Sequence, residues 1–156
     1  DYLKKAAKAD PTASEVNVNL GYLALLDGDV ASAETFMAKG SSAKAGDEAL
    51  GNLYIAQGQY SRAASLLKEA TNSTALAQLL NKDYSTVRET LDKIADPDAT
   101  TYYIKALLGA RTSNIAFVYD GLKNAIRLDP SMAKKAAGDL EFAKYLQDAT
   151  FQSIIK

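Results

Sequence analysis

The chain has 156 residues, 47% hydrophobic and 24% charged, which are the proportions of an ordered globular chain. Its formal net charge is −1 with no long run of one sign. That balance argues against nucleic-acid binding, which needs a basic face to release counterions from phosphates. Cysteine and histidine are both absent. Disulfides, thiolate nucleophiles and Cys-ligated metals are thereby excluded, and the commonest general base and metal ligand are missing.

Ala, Leu, Lys and Glu dominate and alternating β-branched runs are missing, so nearly every stretch reads as a helix. "DYLKKAAKADP" (1–11) reads as the second helix of a pair, with Leu3 and Ala6 facing inward and its first helix outside the chain. A start at Asp1 without Met or signal peptide reads as an excised or processed piece, with further repeats expected upstream. Lys4, Lys5 and Lys8, like Lys134 and Lys135 later, read as solvated helix faces. Two helices follow over about 13–26 and 30–39, joined by Asp27-Gly28-Asp29. A second pair runs over about 46–56 and 60–70, joined by Gln57-Gly58-Gln59. Glycine at each turn suits the left-handed conformation that closes a helix. Gly21 and Gly51, placed mid-helix, are expected to admit a close neighbour, with Ala33 and Ala63 facing them.

The third pair is contracted. Its first helix covers about 73–80, Lys82-Asp83-Tyr84 stands where the Gly turn would be, and Val87 and Leu91 take the buried places of the second helix. A fourth pair spans about 100–114 and 115–130. From Ser131 onward, Met132, Ala136, Leu140, Ala143 and Tyr145 suggest a terminal helix covering the last pair, and 148–155 adds one more short helix. Each of the three prolines follows an aspartate, at Asp10-Pro11, Asp96-Pro97 and Asp129-Pro130, and each pair is expected at a junction between helices.

Leu20-Gly21, Gly28-Asp29, Ala33 and Met37 recur 30 residues on as Leu50-Gly51, Gly58, Ala63 and Leu67, joined there by Tyr54, Tyr60 and Ala70. This pattern resembles the tetratricopeptide repeat, whose period is about 34 residues. The resemblance implies an all-α, right-handed solenoid of antiparallel helix pairs with a C-terminal cap, forming a single domain over 1–156. Its parts would be a helix remnant (1–11), repeats over 13–40, 44–71, 73–95 and 99–130, and capping helices (131–156). Ala24 stands where the first copy should carry an aromatic. The contracted third repeat, "DPDATTYYIKALLGARTSN" and "DLEFAKYLQ" are also similar to the C-terminal repeat region of envelope-associated proteins of Bacteroides-type bacteria. That second resemblance implies a periplasmic or outer-membrane-associated location, the alternative being cytoplasmic.

No catalytic constellation emerges. Asp96-Pro97-Asp98 lacks the alternating acids and glycine of a calcium loop, so capping is the better reading. "GARTSN" and "AKGSSAKAG" lack the ending of a phosphate loop and read as turns. Asp139 and Glu141 lie two apart, on different helix faces. The chain is therefore expected to be no enzyme and to need no cofactor or metal. Tyr54, Tyr60 and Tyr84 are expected in the core, while Tyr102 and Tyr103, being adjacent, cannot both face inward.

In tetratricopeptide proteins the first helices of successive repeats line a concave groove that takes peptides. Carried over by position, the groove residues here are Val18, Tyr22, Leu25 and Leu26, then Glu48, Asn52 and Ile55. The set clamping a peptide's C-terminal carboxylate in some family members is not reproduced, since Val18, Tyr22 and Ala49 occupy its places. Two functions fit: an interaction scaffold binding a peptide or protein segment, or a structural spacer or self-assembly domain of a larger envelope protein. The partners implied are a protein or peptide, other domains of the same chain, or a second copy as homo-oligomer. Nucleic acid and direct membrane insertion are not expected, because no apolar run approaches about 20 residues.

Overall fold

The computed structural model describes residues 2–41 and 44–156, and every regular element among them is helical. Asp1 of the opening helix and Ser42 and Ala43 of the 38–46 stretch lie outside the described residues. The chain divides into two compact units, one through Lys68 and one from Glu69 to Lys156. In the first, α1 (Tyr2–Ala9) packs on α2 (Ser14–Leu26), α2 on α3 (Val30–Gly40), α3 on α4 (Lys44–Ala56) and α4 on α5 (Tyr60–Leu66), and α2 also touches α4. In the second, α6 (Asn72–Leu80), α7 (Tyr84–Lys93), α8 (Ala99–Thr112) and α9 (Ile115–Leu128) pack in sequence. There α6 again touches α8, skipping one helix. Then come α10 (Ser131–Gly138), a 3-10 helix (Leu140–Tyr145) and α11 (Ala149–Ile154), packed on α9, α8 and α9 respectively.

One turn recurs four times. After α2, Asp27 N–H donates to Leu23 O, Gly28 N–H to Leu25 O and Asp29 N–H to Ala24 O. The same three bonds recur at Gln57-Gly58-Gln59 and at Asn81-Lys82-Asp83. At the fourth turn Asn114 N–H reaches back to Gly109 O in the same way. The central residue is left-handed each time, with φ 78° at Gly28, 74° at Gly58, 67° at Lys82 and 57° at Ser113. Glycine reaches that region without strain, while Lys and Ser carry the steric cost of a Cβ. The next residue opens the following helix, and Asp29 and Asn114 accept from Ser32 and Phe117 N–H as N-caps.

Counting from these turns gives one packing register. Five residues on stand Ala33, Ala63, Val87 and Val118, all fully buried. Nine on stand Met37, Leu67, Leu91 and Leu122, of which only Leu91 keeps partial exposure. Seven back stand Gly21, Gly51, Ala75 and Ala106, small residues where the paired helix comes close, and all are buried. A Cβ at Gly21 would lie 2.6 Å from Met37 Cγ and 3.2 Å from Ala33 O. At Gly51 the close neighbour is the Leu67 side chain, at 2.6 Å, rather than Ala63.

Three sequence expectations are corrected. Helix α5 stops at Leu66 instead of continuing to Ala70, because Leu67 turns extended and Thr71 already caps α6 by accepting Thr74 N–H. Leu3 and Ala6 are only half-buried, and α1 buries no residue completely. The C-terminal helix breaks at Asp139, which is extended and accepts Glu141 N–H through Oδ1. The break resets the register: Phe142 goes fully inside, and Leu140, expected in the core, is 88% exposed. Phe142 meets Tyr103 edge-on at 5.8 Å and Phe151 at the same distance, forming the centre of the terminal core.

The aspartate–proline pairs lie at junctions: between α1 and α2, α7 and α8, and α9 and α10. Asp10 accepts from Thr12 and Asp129 from Ser131. At the middle junction the cap is Asp98, not Asp96. Its carboxylate accepts Thr101 N–H while Asp98 N–H donates back to Thr101 Oγ1, a reciprocal capping pair. The Thr101 bond is the main reason Asp98 ionises below the usual carboxylate range.

Candidate functional site

The groove residues read from the first two repeats lie on α2 and α4, which touch in the first unit. Leu26 is 83% and Tyr22 47% exposed. Glu48 and Asn52 are exposed, and Val18, Leu25 and Ile55 are half-buried. Val18 also packs on the end of α3, since its Cγ2 lies 2.9 Å from where Gly40 would carry a Cβ. Beside it, Ser14 Oγ donates to Gly40 O at 2.6 Å. Val18 is thus as much a packing residue as a groove residue.

Tyrosine placement follows the packing expectation in one case and loosens it in two. Tyr54 is buried, with its hydroxyl accepting from Arg62 at 2.7 Å and the guanidinium 4.0 Å from its ring centroid. Tyr60 and Tyr84 are half-buried. Of the adjacent pair, Tyr103 is buried and Tyr102 half-buried.

The four turns carry the groove register into the second unit. Ten residues before each turn stand Val18, Glu48, Asn72 and Tyr103, and six before stand Tyr22, Asn52, Leu76 and Leu107. Asn72, Leu76, Tyr103 and Leu107 together line a mostly apolar pocket of about 280 Å³. The lining comes from α6 and α8, with Lys135 of α10 and Asp139 completing it. Sequence reasoning misses this part of the register. Its signal is present but hidden, because Lys82 and Ser113 stand where glycine marks the first two turns.

Polar groups border the pocket on two sides. On the α6 side, Asn72 Nδ2 donates to Asp98 Oδ1 at 2.9 Å and Asn72 Oδ1 accepts from Thr101 Oγ1 at 2.8 Å. On the other side, Lys135 Nζ lies 4.6 Å from the Tyr103 ring centroid. The Tyr103 hydroxyl donates to Asp139 Oδ2 at 2.7 Å. Burial, reinforced by that bond to a carboxylate, holds the phenol well above its ordinary range, so it remains a neutral donor. Further along α8, Arg111 donates to both carboxylate oxygens of Glu141 and to Leu79 O at 3.0 Å, fastening α6, α8 and the 3-10 helix together.

The pocket offers one buried phenol and one lysine, with Asp139 already engaged twice. No cluster of three or more metal-ligating side chains occurs among the described residues. No helix among them is long and apolar enough to cross a membrane. Comparison with family models, with curated proteins and with solved structures finds no match.

Proposed function

We propose that this protein is a non-catalytic interaction scaffold of the tetratricopeptide type. In this reading the helices preceding the four turns share one register, and the face they present within each unit receives a segment of a protein or peptide partner. The observation that carries it is the pocket lined by Asn72, Leu76, Tyr103 and Leu107, residues at the same two register positions on two successive helices of that kind. An apolar cavity of about 150 Å³ accepts benzene. The pocket here, about 280 Å³, suits one large apolar side chain with its adjoining backbone, and is small for a drug-sized ligand. Tyr22, Leu25 and Ile55 would offer an apolar contact of the same kind in the first unit. The envelope location implied by the sequence resemblance belongs to the same proposal.

Selection of a displayed random-peptide library against the immobilised protein tests the reading. Binders sharing a large apolar residue and losing affinity to Leu107→Asp support it. Binders indifferent to that change, or none at all, refute it. Leu25→Asp with Ile55→Asp asks separately whether the first unit takes part. A second reading, self-assembly, is favoured by one observation: Leu140 stands almost fully exposed beside the pocket.

A further inference from the structure

We infer that the hollow bordered by α1, α2 and α3 receives a tyrosine of a protein partner, with an arginine beside it meeting Asp27 and Asp29. The hollow measures about 370 Å³, and its lining residues all belong to the first unit. It is therefore a separate site from the pocket that Leu76 and Leu107 line. The chain itself shows what fills such a place. Four residues before Gly28 stands Ala24, and four before Gly58 stands Tyr54. Four after the same glycines stand Ser32 and Arg62, and twenty-four before them Lys4 and Glu34. In the second repeat Tyr54 is buried, its hydroxyl accepting from Arg62 at 2.7 Å while the guanidinium covers its ring. In the first repeat the small Ala24 and Ser32 hold those two places, and both line the hollow with Leu20 and Phe36. Leu23, also in the lining, is 45% exposed, whereas its counterpart Leu53 is 6% exposed. The groups missing from the first repeat are a phenol and a guanidinium. A partner that brings both supplies in trans what the second repeat holds in cis.

Charge in the lining agrees with that guest. Where the second turn has Gln57 and Gln59, the first has Asp27 and Asp29, and both border the hollow. Arg62 donates to the Gln59 side chain. A guest arginine at the corresponding place meets the Asp29 carboxylate, and an ionised acceptor makes the stronger bond. Asp29 caps α3 through one oxygen, Oδ1, which accepts Ser32 N–H, so Oδ2 and the Asp27 carboxylate serve the guest. Lys4 lines the hollow where Glu34 borders Tyr54, so the guest phenol oxygen accepts from an ammonium. With two carboxylates to one ammonium, the lining favours a basic segment over an acidic one.

Titration of the chain with N-acetyl-tyrosyl-arginine amide, followed by amide NMR shifts, provides the test. Shifts should gather at Leu20, Leu23, Ala24 and Ser32. N-acetyl-tyrosyl-glutamate amide should bind there about fivefold more weakly. D27N/D29N, which keeps a capping oxygen on α3, should erase that preference while tyrosine still enters. A24Y/S32R rebuilds the arrangement of the second repeat, and should raise the melting temperature and abolish the shifts. An unchanged preference in D27N/D29N overturns the inference, and that result is readable even if A24Y/S32R fails to fold. Shifts that persist in folded A24Y/S32R overturn it as well. Shifts confined to Leu76, Tyr103 and Leu107 would leave docking in the second unit standing and remove this site. Self-association of wild type in sedimentation velocity, lost in A24Y/S32R, would give the hollow to a second copy and overturn the partner.

Discussion

Gly51 and Leu67 share one volume: a Cβ built on Gly51 would lie 2.6 to 2.7 Å from three atoms of the Leu67 side chain. Leu67 is 5% exposed, so the two side chains would compete inside the core. Alanine gains about 1 kcal/mol of helix propensity over glycine, but overpacking costs about 1–3 kcal/mol. Gly51→Ala should therefore lower stability by about 1 kcal/mol in chemical denaturation. Adding Leu67→Val to Gly51→Ala should recover part of the loss, and strictly additive effects would show that the two sites do not compete for space.

The four left-handed turns make opposite predictions at chemically different residues. Lys82→Gly and Ser113→Gly should each stabilise the chain by about 0.5–1 kcal/mol, because the Cβ penalty disappears. Gly28→Ala and Gly58→Ala should destabilise by about 1 kcal/mol, although no atom lies within 4 Å of either added Cβ. Denaturation midpoints that moved in the same direction for both pairs would contradict the assignment of strain to backbone conformation.

Asp98 links a helix start to pH. Its ionised side chain accepts from Thr101 N–H, and its folded-state pKa lies below the ordinary aspartate value of 3.8. The unfolded chain therefore binds this proton more readily, so the stabilisation is complete above the unfolded value and disappears as pH falls through the folded one. Melting temperatures of wild type should drop over that acidic window more than those of Asp98→Asn, which retains a capping oxygen but cannot titrate there. Asp98→Ala should cost about 1 kcal/mol at neutral pH through loss of the cap.

Arg111 is a fastener whose removal takes a charged donor from two acceptors. Without it, the Glu141 carboxylate and the Leu79 carbonyl both lose a charged donor. Arg111→Met, which keeps most of the packing stem, should destabilise by about 1–2 kcal/mol after allowance for partial solvent access. Glu141→Gln should cost less, because an amide oxygen still accepts from the guanidinium. Equal losses in thermal denaturation would place the effect in charge alone.

How far the fold is legible depends on whether a position is written in one residue type or in backbone geometry. Gly28 and Gly58 announce their turns, while Lys82 is placed only by analogy and Ser113 only inside "GARTSN", since neither residue type marks a left-handed cap. Ala33 and Ala63, expected against a facing helix, and Val87, expected in a buried place, are buried, while Leu91, expected likewise, is half-buried. Leu140 is misplaced because spacing assumes an unbroken helix, and the break comes from one Asp139 oxygen accepting a hydrogen bond. The same cause hides the pocket. Its residues come from α6, α8 and α10, and only the turn register relates the first two of these helices.

Asp139 has one further consequence. Its two oxygens serve different masters, Oδ1 holding Glu141 N–H at the entrance of the 3-10 helix and Oδ2 holding the Tyr103 hydroxyl in the pocket wall. The start of the 3-10 helix and the wall of the pocket thus share one carboxylate. A guest that draws Tyr103 away frees one side of that carboxylate, and amide exchange at Glu141 and Phe142 becomes a remote gauge of whether the pocket is full.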